Sequence, residues 1–135
     1  MTTVKEVMSK NVKTVGPSAT VAEAAEAMKK NRVGGLVIVE GNKPVGIITE
    51  RDIVYKIVVE RKSVDTKVEE IMSKDLRTIT EDRKIDDAAK IMAAHLIRRL
   101  PVVDEEGGLI GIIAMKDIMK AEKVRSEAGY YPYFT

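Results

Sequence analysis

The sequence predicts an α/β fold of the α+β sandwich type, with two tandem β-α-β-β-α units related by a pseudo-two-fold axis. Three observations support this prediction. The chain repeats itself at an offset of 64 residues, each copy alternates apolar residues at helical and then strand-like spacing, and the content of 44% hydrophobic and 33% charged residues is typical of a globular protein. A unit with one apolar sheet face cannot bury that face alone, so the duplication predicts that the copies pair.

The repeat consists of matching residues in the same order. The opening stretch Val4–Lys10 matches Val68–Lys74, and Gly46-Ile47-Ile48 matches Gly111-Ile112-Ile113 after a one-residue insertion. From this alignment we expect a first copy over residues 1–62, a linker over 63–67, a second copy over 68–125 and an aromatic tail over 126–135. A duplicated unit predicts two equivalent clefts and therefore two related binding sites.

Each copy has its own series of helix and strand signals. Capping boxes, in which a Thr hydroxyl and an acidic side chain satisfy free backbone N–H groups, occur at Thr20–Glu23 and Thr49–Asp52, and we expect two more at Thr3–Glu6 and Thr66–Glu69. The turn-rich stretch Glu40–Pro44 predicts a hairpin loop. The predicted elements are helices over 21–30, 49–60, 84–95 and from 115 onward, and strands over 36–39, 45–48, 100–103 and 109–114.

The composition excludes several kinds of site. The chain has no cysteine, which rules out disulfides and thiolate metal sites, and its single histidine, His95, cannot form a histidine metal site alone. We therefore expect no metal site. The 23 basic and 21 acidic residues nearly balance, so the charge does not support nucleic-acid binding. The sequence shows no signal peptide and no apolar run long enough for a membrane span, so we expect a cytoplasmic protein without membrane contact.

Two ordered sets of motifs resemble the CBS domain, the regulatory unit named after cystathionine β-synthase. The motifs are Val7-Met8-Ser9, Thr14-Val15 and Gly46–Ile53 in the first copy, and Ile71-Met72-Ser73, Thr78-Ile79, Arg99–Asp104 and Gly111–Ile118 in the second. The resemblance covers nearly the whole chain, leaving only the linker and roughly the last dozen residues. It implies a tandem CBS pair, or Bateman module, which regulates in response to a ligand.

The resemblance also implies that an adenine nucleotide (AMP, ADP or ATP) or a related adenosyl ligand binds in the clefts. In this family pattern the Asp of Thr-x-x-Asp binds the ribose hydroxyls and the Thr hydroxyl meets phosphate. Basic residues before the Leu-Pro-Val-Val strand of the other copy also approach phosphate. The residues carried over to the first site are Thr49 and Asp52, with Arg98, Arg99 and Lys116 across the cleft and Thr14, Val15 and Leu36 near the adenine.

The second site departs from this pattern. Asp117 remains, but Ala114 replaces the hydroxyl residue, and Gly34-Gly35 stand where the paired arginines would be. Arg51 is the main positive charge left near that cleft, and Thr78-Ile79 correspond to the segment near the adenine. A phosphate group would lose a hydroxyl and two guanidinium groups there, so we expect weaker binding than at the first site.

Structural explanations exist for the same residues. The Thr49–Asp52 motif is also an ordinary capping box, and Asp117 could act only as an acid near the positive end of a helix dipole. Because Ala114 cannot cap through a hydroxyl, the persistence of Asp117 leaves both explanations open, and the resemblance favours the ligand role. Arg98-Arg99 could be a solvated charge pair, and the aromatic tail could pack on its own module or dock a partner.

The leading functional hypothesis is a ligand-sensing regulatory module that acts on an unknown partner or on its own assembly through a population shift. The alternative is a ligand-free interaction scaffold. The sequence shows no nucleophile paired with a base, which argues against an enzyme and against a catalytic cofactor. Apolar stripes on the helices after the Gly-Ile-Ile strands, Ile53-Val54-Ile57-Val58 and Ile118-Met119 with Ala121, predict a two-fold homodimer.

Overall fold

The chain forms two compact units. The computed structural model describes residues 2–127, with side chains described as far as residue 123. The first unit is Val12–Leu76, and the second unit combines residues 2–11 with residues 77–127. Over these described residues, each unit holds one three-stranded sheet and its helices. The predicted α+β class and the β-α-β-β-α order of elements are therefore confirmed.

The helices and strands follow the predicted order with shifted ends. In chain order they are α1 (Val4–Val7), β1 (Thr14–Val15), α2 (Val21–Asn31), β2 (Gly35–Glu40), β3 (Lys43–Thr49), α3 (Glu50–Ile53), a π-helical turn (Val54–Val58), a 3₁₀ turn (Val68–Glu70), β4 (Ile79–Thr80), α4 (Ile85–His95), β5 (Arg99–Val103), β6 (Leu109–Ala114) and α5 (Met115–Glu127). Helix α5 crosses the boundary expected at residue 125. Residues 128–135 of the predicted aromatic tail lie outside the described residues.

The two sheets share one topology. In each, a short first strand runs parallel to the central strand, and the central strand pairs antiparallel with the third. Thr14 lies opposite Val37 in the first unit, and Ile79 lies opposite Val102 in the second. Three consecutive residues of β2, Leu36–Ile38, are buried, so both faces of this central strand are covered.

Helix α2 begins at its predicted capping box. The Glu23 amide donates to Thr20 Oγ1 at 3.1 Å, and the Thr20 amide donates to Glu23 Oε1 at 3.1 Å. The boxes expected at Thr3 and Thr66 are wrong. Thr3 makes no side-chain cap bond, whereas the Thr66 hydroxyl donates to the Ser63 carbonyl at 2.6 Å and so closes the preceding turn.

The hairpin between β2 and β3 is tighter than the sequence predicts. The loop expected over Glu40–Pro44 shrinks to Gly41–Asn42, because both strands extend into it. Gly41 has a φ of +65°, a left-handed conformation that glycine adopts without a side-chain clash. The hairpin between β5 and β6 uses Gly107 in the same way, with a φ of +84°.

The helix after β3 changes type along its length. A single helix was expected from Thr49 to Glu60, but the α-helical part ends at Ile53. The chain continues as the π-helical turn, in which the Val59 amide donates to the Val54 carbonyl at 2.9 Å. The matching helix of the second unit, α5, is α-helical throughout. The two copies therefore differ in the helix that follows their third strand.

The segment that opens each sequence copy packs in the unit that contains the other copy's sheet. In the first unit, Ser73 pairs with Ile47 of β3, and in the second unit Ser9 pairs with Ile112 of β6. The compact units therefore do not coincide with the sequence copies, because residues 68–76 belong to the first compact unit and residues 2–11 to the second.

The two hydrophobic cores reflect this arrangement. Val68 and Ile71 are buried in the core of the first unit, and Val4 is buried in the core of the second. Most other core residues come from α2, β2 and β3 in the first unit and from α4, β5 and β6 in the second. Within residues 2–127, no helix combines the length and apolar composition that crossing a membrane requires.

Candidate functional site

The start of α3 holds the first pair of predicted ligand residues. Asp52 Oδ2 accepts hydrogen bonds from the Thr49 amide at 2.9 Å and from the Thr49 hydroxyl at 3.1 Å. In return, the Asp52 amide donates to Thr49 Oγ1 at 3.3 Å. The motif brings these groups together because a side chain at the third helical position reaches back to the residue that caps the helix. The predicted capping box at Thr49–Asp52 is confirmed.

A lysine that the sequence analysis did not single out also contacts Asp52. Lys56 Nζ lies 3.2 Å from Asp52 Oδ1 and donates to the Ile71 carbonyl at 2.8 Å. The four-residue spacing of Asp52 and Lys56 could have revealed the ion pair, since side chains at this spacing share a helix face. A carboxylate offers about four acceptor positions, so three donors leave Asp52 about one for a ligand.

The residues predicted near the adenine lie on or beside the short first strands. In the first unit, Thr14 is exposed and Val15 is half-buried, while the Leu36 side chain is 1% exposed and lies in the core. In the second unit, Thr78 is exposed and precedes β4, and the Ile79 side chain is buried. A ligand could therefore contact Leu36 and Ile79 only through their backbone.

The glycine pair of the weaker predicted site lies beside the start of α3. The Gly34 carbonyl accepts a hydrogen bond at 3.0 Å from the first amide of this helix, and Gly35 lies opposite Thr49 in the sheet. Arg51, the positive charge expected near that site, is exposed. Its guanidinium carbon lies 5.1 Å from the centre of the Tyr55 ring. This cation–π contact favours an orientation of Arg51 along its own helix.

Arg98 and Arg99 occupy in the second unit the place that Gly34 and Gly35 occupy in the first. The Arg98 carbonyl accepts a hydrogen bond from the Met115 amide at 2.9 Å, and Arg99 lies opposite Ala114. Arg98 and Lys116 are exposed, while Arg99 is half-buried. The structure thus brings three cationic residues to the start of α5. Their contact with the ligand of Asp52, which belongs to the other unit, stays a prediction.

Asp117 has a structural role that the sequence analysis underestimated. Its Oδ2 atom accepts a hydrogen bond from the Ala114 amide at 2.8 Å, which is one half of a capping box. Ala114 lacks the hydroxyl for the other half. The carboxylate therefore stabilises the start of α5 directly, and its persistence in the second copy does not require a ligand.

Two carboxylates with lowered pKa values lie in the turn before α4 and at its start. The Thr80 hydroxyl donates to Asp82 at 2.7 Å and lowers the pKa of that carboxyl. Arg83 Nε donates to Asp87 at 3.2 Å and lowers the pKa of Asp87. Across the part of the chain that the structure describes, no cluster of three or more acidic or histidine side chains could hold a metal ion.

Comparison with curated proteins gives the chain close relatives. It is 44% identical over 121 residues to an uncharacterized protein of Methanopyrus kandleri, a match that covers 88% of this chain and 62% of that relative. It is 37% identical over 129 residues to the CBS domain-containing protein YhcV of Bacillus subtilis, covering 96% and 91%. The chain thus spans less than two thirds of one relative and nearly all of the other.

Solved structures share the fold. The CBS domain pair of protein MJ0100, in complex with 5′-methylthioadenosine and S-adenosyl-L-methionine, matches with a TM-score of 0.85 and 32% identity, over 93% of this chain and 98% of that one. A hexameric CBS-CP12 protein from bloom-forming cyanobacteria matches with a TM-score of 0.81 and 35% identity, over 93% and 74%. The CBS domain family model matches residues 4–59 and again residues 68–123. With one match for each β-α-β-β-α copy, the chain belongs to the CBS domain family as a tandem pair of CBS domains.

Proposed function

We propose that this CBS pair is a regulatory module that binds an adenine nucleotide or a related adenosyl ligand and thereby changes a partner protein or its own assembly. The observation that carries the proposal is the Asp52 carboxylate, which is held at a helix start with its side chain 17% exposed and with acceptor capacity left. The CBS domain pair of MJ0100 supports the ligand class, because its solved complex contains two adenosyl compounds.

Each residue of the first site has a chemical task in this proposal. Asp52 accepts the ribose hydroxyls, and the Thr49 hydroxyl, which donates to Asp52 in the ligand-free chain, turns towards phosphate. Arg98, Arg99 and Lys116 supply positive charge, since paired guanidinium N–H groups match the geometry of phosphate oxygens. The adenine lies near Thr14, Val15 and Leu36, and it meets Leu36 through backbone groups because that side chain is buried in the core.

A second site around Asp117 binds the same ligand class more weakly in this proposal. Ala114 offers no hydroxyl, and Gly34-Gly35 bring no charge to it. Arg51 is the remaining cation, and its contact with Tyr55 competes with any contact to phosphate. The two sites would therefore fill at different ligand concentrations.

Regulation follows if the ligand prefers one arrangement of the two copies. A ligand shifts a conformational equilibrium only by its difference in affinity for the two states. A ten-thousandfold preference, roughly 5.5 kcal/mol, is needed to turn a 1:99 population into 99:1. Contacts with residues of both copies, such as Asp52 and Arg99, would provide such a difference.

We further propose that two chains form a two-fold homodimer. Val54 and Val58 of the π-helical turn are 46% and 64% exposed, and Met119 of α5 is 50% exposed. Ile57 and Ile118 were placed in the same stripes from sequence, but both are 2% exposed and lie in the cores. The apolar surface available to a partner is therefore narrower than expected. The hexameric CBS-CP12 structure supports assembly of such pairs in general.

The second candidate function is a ligand-free interaction scaffold without catalytic activity. The exposed Val54, Val58 and Val59 favour it, because exposed apolar patches mark interaction surfaces whether or not a ligand binds. The two hypotheses differ in one measurable respect. Only the regulatory hypothesis requires that an adenosyl compound stabilise the folded chain.

A thermal-melting titration tests the proposal. AMP, ATP, S-adenosylmethionine and 5′-methylthioadenosine are each added to the purified chain, with GMP as the control for a different base. A ligand at one hundred times its dissociation constant stabilises the folded state by about 2.7 kcal/mol, so the melting temperature should rise by several degrees. Mass spectrometry of the freshly purified protein shows whether a ligand is carried along. No shift with any adenosyl compound at millimolar concentration would support the scaffold instead.

A further inference from the structure

Lys56 links the predicted ligand carboxylate to a distant part of the same unit. Its Nζ atom lies 3.2 Å from Asp52 Oδ1 and 2.8 Å from the carbonyl oxygen of Ile71, fifteen residues further along the chain. The Lys56 side chain is 41% exposed and that of Asp52 is 17% exposed. An exposed ion pair alone contributes little, but one ammonium shared between two acceptors couples their positions.

The Ile71 carbonyl belongs to a segment that core packing and backbone hydrogen bonds also hold in place. Ile71 is 3% exposed in the core of the first unit. The Met72 amide donates to the Val68 carbonyl at 2.9 Å, and the Ser73 amide donates to the Ile47 carbonyl at 2.9 Å. In the sequence this segment, Val68–Ser73, leads from the first copy into β4 of the second. A change in the hydrogen bond to the Ile71 carbonyl therefore affects the stretch of chain that leads from the first copy into the second.

The second copy lacks this link. Ala121 of α5 stands four residues after Asp117, where Lys56 stands after Asp52. Asp117 uses Oδ2 to accept from the Ala114 amide, and no hydrogen bond or ion pair from the residues that the structure describes reaches its Oδ1 atom. The link through lysine is thus a property of the first copy and not of the fold in general.

When two ribose hydroxyls bind Asp52, one of them shares Oδ1 with Lys56. Both hydrogen bonds from Thr49 are made to Oδ2, which fills the acceptor capacity of that atom. Among the residues that the structure describes, Lys56 is the one that contacts Oδ1, which is therefore the oxygen with room for a hydroxyl. When the Thr49 hydroxyl turns towards phosphate, it frees one position on Oδ2. A ligand with two ribose hydroxyls then places one on each oxygen, and the hydroxyl on Oδ1 competes with the ammonium for the charge of that atom.

We infer that Lys56 is a positioning residue that transmits occupancy of Asp52 to the segment Val68–Ser73, an inference about regulation that rests on the proposed ligand site. Ligand hydroxyls on Oδ1 weaken the ion pair between Asp52 and the Lys56 ammonium. The hydrogen bond from Lys56 to the Ile71 carbonyl changes as a consequence. Because coupling between two sites is reciprocal, a change in this segment also alters the affinity of Asp52 for ligand.

A double-mutant cycle without ligand tests the link. Lys56→Met removes the ammonium and keeps the length of the side chain, and Asp52→Asn removes the charge but keeps an oxygen for the Thr49 amide. We expect Lys56→Met to move the carbonyl ¹³C resonance of Ile71 and to speed amide exchange at Met72 and Ser73 by about fivefold, as for one lost hydrogen bond. Asp52→Asn should move the Ile71 resonance in the wild-type background only.

Lys62→Met is the matched control, because Lys62 lies just beyond the same helix and contacts Glu60 at 3.5 Å. It should leave the Ile71 resonance unchanged. An Ile71 resonance that is unchanged by Lys56→Met would overturn the inference. The inference would also be overturned if Asp52→Asn moved the Ile71 carbonyl resonance equally in the wild-type and Lys56→Met backgrounds.

AMP is then added to saturation to the wild type and to Lys56→Met. We expect AMP to move the Ile71 carbonyl resonance in the wild type and to leave it in place in the variant. The same AMP-induced change in both proteins would show that occupancy reaches this segment by another route and would overturn the inference. Absence of AMP binding to the wild type would instead count against the proposed function, while the ligand-free cycle still decides whether Lys56 couples Asp52 to Ile71.

Discussion

Ser73 and Ile47 exchange two backbone hydrogen bonds. The Ser73 amide donates to the Ile47 carbonyl at 2.9 Å, and the Ile47 amide donates to the Ser73 carbonyl at 3.1 Å. These residues come from different sequence copies but from the same compact unit. Ser9 and Ile112 make the same pair of bonds in the other unit, at 2.9 Å each. The close approach of each Met-Ser segment to its strand explains why a glycine precedes each of these isoleucines.

The first prediction concerns that close approach. A Cβ atom added to Gly111 would lie 2.8 Å from Met8 Sδ and 2.9 Å from the Ser9 carbonyl oxygen, and a backbone atom cannot move aside cheaply. We expect Gly111→Ala to lower the free energy of unfolding by about 1–3 kcal/mol through overpacking. Urea unfolding measures the change. Gly16→Ala is the control, since no atom lies within 4 Å of its added Cβ, and equal stabilities of the two variants would contradict the prediction.

The second prediction concerns the boundaries of a foldable fragment. We expect the fragment 12–76 to unfold cooperatively on its own, although a unit of this size is only marginally stable. The fragment 1–62, cut at the sequence repeat, should show no cooperative transition, because it lacks the core residues Val68 and Ile71. Circular dichroism during heating compares the two. A cooperative transition in fragment 1–62 would show that the Val68–Ser73 segment is dispensable.

The third prediction tests the asymmetry of the two ligand sites. Asparagine variants are suitable because both carboxylates also accept from a backbone amide, at 2.9 Å for Asp52 and 2.8 Å for Asp117. Asp52→Asn should weaken AMP binding by about 1.5–3 kcal/mol, the contribution of a hydrogen bond to a charged group. Asp117→Asn should have a smaller effect on the stronger binding step. Calorimetry measures both, and equal losses would show that the sites are equivalent.

The fourth prediction assigns phosphate recognition to Arg98 and Arg99. Replacing both by Ala should remove the difference in affinity between AMP and ATP and leave adenosine binding nearly intact, because guanidinium groups bind phosphate and not the nucleoside. Lys29→Ala with Lys30→Ala is the control for the same loss of charge on α2. If adenosine and nucleotide affinities fell together, the arginines would be structural.

The fifth prediction concerns the homodimer. Val54 is 46% exposed on the π-helical turn, so Val54→Asp should place a charge in the proposed interface without disturbing the core. We expect sedimentation to show a dimer for the wild type at micromolar concentration and a folded monomer for the variant. Val64→Asp is the control, because Val64 is 54% exposed in the linker, where its carbonyl accepts from the Ala22 amide at 2.9 Å. A monomeric wild type would rule out this assembly.

Local relationships in the chain were predictable from the sequence. The capping boxes at Thr20–Glu23 and Thr49–Asp52 form as expected, because three-residue spacing at a helix start can bring the side chains into contact. The same spacing at Thr3–Glu6 and Thr66–Glu69 forms no box, so the spacing permits the contact but does not ensure it. The duplication also gave the order of strands and helices in both copies, since each copy carries the same apolar periodicity. The ion pair of Asp52 and Lys56 belongs to the same class, although the sequence analysis overlooked it.

Relationships between distant residues were decided by the tertiary structure. Val7-Met8-Ser9 and Ile71-Met72-Ser73 are so alike that neither segment specifies locally which sheet it joins, and only packing assigns Ser9 to Ile112 and Ser73 to Ile47. The bond from Lys56 to the Ile71 carbonyl depends on that assignment, because it requires Val68–Ser73 to lie in the first unit. Side-chain spacing along one helix or strand determines contacts within it, whereas contacts across a long loop depend on which surfaces become buried together.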